Sequence, residues 1–219
     1  MKFAAIIWDF DGTLASSLEG ITAAMGQTLA THRLPIPTVE QVRATVGLTL
    51  EQSMRHLAGV ACSEQQIAQL VTHYRRVHNS HAAPLTKAFD GAHRVLAESR
   101  RRGMLNILVS NKGRAGLHQL LGQLSLDGQF DHVLSAEDVS FCKPDPRLYS
   151  LDIAPRYATL RPDQVLVVGD TETDLNFARS AELKSCWAKY GYGNHQACRM
   201  LQPQFVIESI AELFSVLDN

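Results

Sequence analysis

Long apolar runs, an excess of either charge and paired cysteines are all missing from this chain of 219 residues. No stretch approaches the roughly 20 consecutive apolar residues that a membrane helix needs, so no membrane association is expected. Basic and acidic side chains nearly cancel, 21 Lys and Arg against 22 Asp and Glu, for a formal net charge of -1. That balance offers no basic field to nucleic acid, which is not expected as a partner. The four cysteines, Cys62, Cys142, Cys186 and Cys198, lack metal-type spacing. An apolar run near the start is cut by Asp9 and Asp11 too early for an export signal, which predicts a cytoplasmic protein with reduced thiols. Repeats and low-complexity tracts are also absent. What remains is 45% hydrophobic and 20% charged, the composition of an ordinary globular protein. The length suits one large domain, or a domain carrying a smaller insertion.

Four apolar runs read as strands: Ala4–Trp8, Leu105–Val109, the short Asp131–Leu134, and Gln164–Val168. A weaker one surrounds Phe205-Val206-Ile207. The longer runs are nearly continuous and rich in branched residues, the pattern of strands covered on both faces of a parallel sheet. Helical patterns lie between them at 90–102, stopped by Gly103, and at 113–124, 146–158 and 173–181. A last helix is predicted over Ser209–Leu217, with Ser209 and Glu212 as a capping box. This alternation predicts an α/β fold, a Rossmann-like doubly wound parallel sheet.

Residues 16–84 break the alternation. They carry only helical patterns, at about 17–32, 38–45, 50–59 and 64–80, punctuated by Pro35, Pro37, Gly47 and Gly59. The expectation is a four-helix-bundle insertion, with residues 1–15 and 85–219 forming the catalytic core and Ala83-Pro84-Leu85 as the return linker. The basic cluster Arg100-Arg101-Arg102 reads as a solvated helix end placed favourably against the helix dipole.

In open parallel sheets, ligands bind beyond the carboxyl ends of the strands. There this chain places polar clusters: Asp9-Phe10-Asp11-Gly12-Thr13, Ser110-Asn111-Lys112, and Gly169-Asp170-Thr171-Glu172-Thr173-Asp174. Lys143-Pro144-Asp145-Pro146 adds a lysine whose following prolines fix the backbone. Because strand side chains alternate, Asp9 and Asp11 can emerge together where the strand gives way to a loop. Two carboxylates at a sheet rim call for a cation between them, most economically Mg2+, which binds one or two carboxylates plus phosphate oxygens. Each cluster alone is compatible with an ordinary turn, a surface lysine or carboxylates at a helix start. Their occurrence as an ordered set of four is what points to catalysis.

That set, Asp9-x-Asp11-Gly12-Thr13, Ser110-Asn111, Lys143-Pro144 and Gly169-Asp170-x-x-x-Asp174, resembles the four signature motifs of the haloacid dehalogenase superfamily. The helical insertion resembles its C1-type cap. Within the superfamily the chain is similar to phosphoglycolate phosphatase-like proteins in Ser110-Asn111-Lys112, Lys143-Pro144-Asp145-Pro146 and Tyr190-Gly191-Tyr192-Gly193. The resemblance implies a phosphatase that depends on Mg2+ and hydrolyses a small phosphorylated metabolite, a phosphoglycolate-like monoester, through an aspartyl-phosphate. A sugar phosphomutase of the β-phosphoglucomutase type, or a pyrophosphatase or nucleotidase of the same fold, remains the alternative. A monomer or homodimer is expected.

The resemblance further implies a role for each residue. Asp9 would be the nucleophile and Asp11 the general acid and base. Asp9, the Asp11 carbonyl and Asp170 would hold Mg2+, and Asp174 would orient a water or Lys143 from behind. Ser110, Asn111 and Lys143 would bind the phosphoryl group, and Thr13 is counted with them or as an orienter of the Asp11 loop. Thr45–Gln52, turning at Gly47, looks like the substrate-specificity loop, with Arg43, Thr49 and Arg55 as polar candidates nearby. The loop contains no lysine, which argues against Schiff-base chemistry. Lys112 and Glu172 read either as solvated residues or as modulators of the site. His73, His78 and His81 do not share one helix face and read as packing or solvated residues. Ser16 stands where many relatives carry a carboxylate near the hinge between core and cap.

Overall fold

The computed structural model describes residues 3–59 and 62–218, without the side chains of residues 81 and 82. Strands β1 (Ala5–Trp8), β2 (Ala15–Ser16), β3 (Lys87–Ala88), β4 (Leu105–Val109), β5 (His132–Leu134), β6 (Val165–Gly169), β7 (Lys184–Ala188) and β8 (Phe205–Ile207) follow in chain order. Six of them form one sheet in the order β5-β4-β1-β6-β7-β8, parallel at every pairing, while β2 and β3 make a small antiparallel pair.

The apolar runs are continuous because each central strand is covered twice. In β1, Ala5 and Ile7 enter one core cluster while Ile6 and Trp8 enter the other; β4 and β6 alternate in the same way. One face is covered by α5 (Ala92–Arg101), α6 (Arg114–Gln123) and α9 (Leu213–Asp218). The other is covered by α7 (Glu172–Ser180) and the turn Leu148–Ile153. Each fully buried branched or aromatic side chain contributes roughly 1.5–3 kcal/mol. The polar exception is Asn106 in β4, buried yet fully used. Its amide nitrogen donates to Leu96 O and Gln129 O, and its oxygen accepts from Trp8 Nε1 and Ser99 Oγ.

Between β2 and β3 the chain forms α1 (Leu18–Thr31), α2 (Val39–Arg43), α3 (Leu50–Ala58) and α4 (Glu64–Val77). These helices bury a cluster of their own, including Ile21, Met25, Leu29, Met54, Leu70 and Tyr74. Thr38, Thr49 and Ser63 each close a capping box, so α2, α3 and α4 have sharply defined starts.

Several expectations needed correction. The helix expected over 146–158 is an irregular pair of turns, Leu148–Ile153 with wide π-type bonding and Ala154–Arg156 with tight 3-10 bonding. Pro155 lacks the N–H that a regular helix needs at that point. The helix expected to run to residue 80 ends at Val77 and continues as a wide turn over His78–Ala82. Ser209 makes no side-chain cap; the Glu212 carboxylate accepts instead from the Glu208 N–H, and the segment divides into a tight turn at Ile210–Glu212 and α9. Strand β7 was not anticipated, because Lys-Ser-Cys-Trp-Ala carries none of the branched residues that marked the other strands. Short α8 (His195–Met200) follows it, capped by Asn194. At the basic cluster, Arg101 and Arg102 pair with Glu98, and Arg102 also reaches Asp218.

Candidate active site

Strand β1 lies between β4 and β6, and Trp8 pairs in register with Leu108 and Val168. The chain therefore leaves three adjacent strands at nearly one level, delivering Asp9, Ser110 and Asp170 to the same edge. Lys143 arrives from the connection after β5 and is buried there. Its ammonium lies 2.6 Å from Asp9 Oδ1 and 2.6 Å from Asp174 Oδ1. Asp174 sits in the first turn of α7, where its Oδ2 accepts from the Thr171 N–H at 3.1 Å and hydroxyl at 2.8 Å. Asp170 is fully buried; it accepts from Thr13 Oγ1 at 3.0 Å and from the Tyr192 N–H at 2.7 Å.

The carboxylates of Asp9, Asp170 and Asp174 lie within 4.8 Å of one another, all buried. One lysine among three carboxylates leaves the cluster short of positive charge. Burial, only partly offset by Lys143, lifts the Asp9 carboxyl to about 7, with Asp174 and Asp11 adding to the rise. Burial and the charges of Asp9 and Asp174 likewise hold Asp170 well above the usual carboxylate range. Burial works against the Lys143 charge, but Asp174 and Asp9 outweigh it and keep the ammonium protonated. A compact set of hard oxygen donors with unmet negative charge fits a divalent cation.

Asp11 stands apart from this cluster. Its carboxylate meets Lys112 Nζ at 3.2 Å, and both side chains are largely buried. Lys112 is thus part of the site rather than a solvated residue. Asn111 acts as a strut: its amide donates to Gly47 O at 2.8 Å and Lys143 O at 2.9 Å, and its oxygen accepts from the Lys143 N–H at 3.1 Å. One side chain so ties the loop after β4, the lysine and the helical insertion together. Gly47 has φ +93, and a Cβ there would lie 2.7 Å from Thr171 Oγ1. Only glycine lets that loop rest on the start of α7.

A cavity of about 150 Å3 opens between the sheet edge and the helices. Asp9, Asp11, Ser110, Asn111 and Lys112 line its floor, and Gly47 its side. Thr13, expected among the substrate-binding residues, is not on its wall. It is fully buried and its hydroxyl is used to hold Asp170. The polar candidates near Gly47 also have other work. Arg43 donates to the carbonyls of Tyr192 and Gly191, Thr49 caps α3, and Arg55 pairs with Glu64. Glu172 accepts from the Asn194 N–H at 3.3 Å, tying α7 to the start of α8. Of the histidines, His73 contacts His32, and the side chain of His81 lies outside the described residues. His78 packs as expected, stacked on Tyr74, and it also lines the cavity, where burial and the neighbouring Lys112 charge push it down to about 4.

A family model described as haloacid dehalogenase-like hydrolase matches residues 6–188. The chain belongs to the haloacid dehalogenase-like hydrolases. Among its relatives is Pyrophosphatase PpaX of Bacillus cereus, 24% identical over 100% of this chain and 98% of that protein. A haloacid dehalogenase-like hydrolase structure from Bacteroides fragilis superposes with a TM-score of 0.88 at 26% identity, covering 97% of this chain and 100% of the other. A predicted phosphoglycolate phosphatase from Haemophilus somnus 129PT does so with a TM-score of 0.89 at 21% identity, covering 99% and 98%, and shares the fold.

The four motif segments meet here in space, and further residues, to which motif reading assigned no role, brace them. Tyr192 is the clearest. Its N–H holds Asp170, while its hydroxyl accepts from the N–H groups of Ser17 at 2.8 Å and Leu18 at 3.1 Å, where α1 begins. The neighbouring glycine carried the available signal, since a Cβ on Gly191 would lie 2.3 Å from Asp170 Cβ.

Proposed function

We propose that this protein is a Mg2+-dependent phosphatase that hydrolyses a small phosphate monoester through an aspartyl-phosphate on Asp9. The observation that carries this reading is the position of Asp9. Its carboxylate stands at the floor of a cavity, beside a buried lysine and two further carboxylates. Residues 16–84 serve as a cap over the core.

In this mechanism an Asp9 carboxylate oxygen attacks phosphorus, the bond to the ester oxygen breaks, and Asp11 gives that oxygen a proton. The alcohol leaves, and Asp11, now ionised, removes a proton from the water that attacks the phosphoryl-aspartate. Cleavage of the new phosphorus–oxygen bond returns Asp9 and releases inorganic phosphate. Lys143 neutralises charge on Asp9 and on the phosphoryl oxygens, Asp174 holds that ammonium in place, and Ser110 with the main chain at Asn111 donates to the equatorial oxygens. Asp9, Asp170 and the Asp11 carbonyl, with Asp174 beside them, would hold Mg2+, which when bound would supply positive charge to the phosphoryl group. Lys112, 3.2 Å from the Asp11 carboxylate, holds that side chain in place.

Pyrophosphate, named for the Bacillus relatives, is the second reading, and phosphoglycolate is put forward by the name of the Haemophilus neighbour. The basic reading is tested by phosphate release from p-nitrophenyl phosphate. Activity is expected with Mg2+, lost in EDTA and recovered when Mg2+ is returned. Undiminished hydrolysis after metal removal would overturn it.

A further inference from the structure

The cavity has two unlike ends. Its floor is polar and belongs to the sheet edge. Its roof comes from the helical insertion and is largely apolar: Ile21 and Met25 from α1, Val46, Leu48 and Leu50 around the Gly47 turn, and the ring of Tyr74 from α4. With the phosphoryl group on Asp9, the roof is what surrounds the leaving group.

Charge in the cavity is already committed. Its cations are Arg75 and Lys112, and neither awaits an anion. Arg75 lies 2.6 Å from Glu137 and 3.7 Å from Glu51, while Lys112 lies 3.2 Å from Asp11. Three carboxylates, Asp9, Asp11 and Glu137, line the same space. His78, held neutral, adds no charge. Of the nearby hydroxyls, Thr45 donates to Val42 O and Ser53 to the carbonyls of Thr45 and Thr49, while His78 Nε2, buried with no hydrogen-bond partner among the described residues, is a neutral polar atom on the wall. A second anionic group beyond the phosphoryl group would therefore be desolvated against apolar walls, with no uncommitted cation among the described lining residues to meet it.

We infer that the substrate is the phosphate monoester of a small, uncharged and largely apolar alcohol, and that neither phosphoglycolate nor pyrophosphate is the preferred substrate. This rests on the phosphatase reading above. The cavity of about 150 Å3 limits the size of the alcohol, since an apolar cavity of roughly that volume takes a guest the size of benzene. Part of the space is needed by the phosphoryl group itself. What remains takes an alcohol of fewer than about six carbons.

The test compares kcat/KM with Mg2+ present for phosphoglycolate, its methyl ester, pyrophosphate, and ethyl, propyl and butyl phosphates. Phosphoglycolate and its methyl ester share the leaving oxygen and differ in charge, so their ratio isolates the effect. The ester is expected to exceed the acid by at least about tenfold, as like-charge juxtaposition requires. Among the alkyl phosphates each added methylene should raise kcat/KM about fourfold. Leu48→Lys, at a position 37% exposed and tolerant of a long side chain, should narrow the ratio by placing a cation in the roof. Preference for phosphoglycolate or pyrophosphate over the uncharged esters would overturn the inference and leave the phosphatase reading intact. Failure to hydrolyse any of these compounds and p-nitrophenyl phosphate would overturn both.

Discussion

Replacing Asp9 by Asn should stabilise the metal-free protein at neutral pH while removing its activity. The Asp9 carboxyl is lifted from 3.8 to about 7, chiefly by burial, despite the lysine beside it. At 1.36 kcal/mol per pH unit, that rise corresponds to about 4 kcal/mol. The folded state holds this proton more tightly than the unfolded chain. Its stabilising contribution is therefore fully present below about pH 3.8 and is lost as pH rises through about 7. Asn keeps the shape and carries no proton to lose. Thermal unfolding in EDTA, followed by circular dichroism between pH 4 and 8, should find the two proteins close at the acid end. By pH 8 the variant should lead by about 4 kcal/mol, or roughly 8–16 °C in Tm at 2–4 °C per kcal/mol for a chain of this size. Taking the difference cancels the groups that do not feel the Asp9 charge. Added Mg2+ should raise the wild-type Tm most at high pH, where the carboxylates are ionised. A difference that stays constant with pH, or a wild type more stable than the variant at pH 8 in EDTA, would refute the reasoning.

Two further substitutions probe the contact between the helices and the core. Gly47→Ala combines a strained φ of +93 with a Cβ 2.7 Å from Thr171 Oγ1. It should cost roughly 1–3 kcal/mol and raise KM more than it lowers kcat, measured by thermal melts and steady-state kinetics. Asn111→Ala removes the amide that joins Gly47 O to both main-chain groups of Lys143. With buried partners left unpaired at about 1–3 kcal/mol each, it should lower Tm and kcat/KM together. An unchanged Tm would mean the strut is dispensable.

The central sheet was legible because β1, β4 and β6 are buried on both faces and so carry apolar runs broken only at Asn106. β7 was not, since Ser185, Cys186 and Trp187 are buried with no branched residue to mark them. The motif residues could be placed together because catalytic groups follow strand ends in a fixed order. What they do for one another was less visible. Thr13 looked like a phosphate ligand, and its hydroxyl serves Asp170 instead. Asn111 and Tyr192 act through bonds to residues 64 and 22 positions away in the chain, at separations no local pattern encodes. The roof was hidden for a similar reason. Ile21, Met25 and Tyr74 lie in helical stretches that carry no chemical signal, and the packing of α1 against α4 brings them to the cavity, where Val46 of the Gly47 loop joins them.

The most direct test of the account is to trap the covalent intermediate. Protein turning over p-nitrophenyl phosphate with Mg2+ is quenched in acid within the first turnover, digested, and mapped by mass spectrometry. The account predicts a phosphoryl group on the Asp9 side chain that is labile to hydroxylamine, missing in EDTA and missing in Asp9→Asn. Phosphate release without phosphorylation of Asp9, or full turnover by Asp9→Asn, would contradict it.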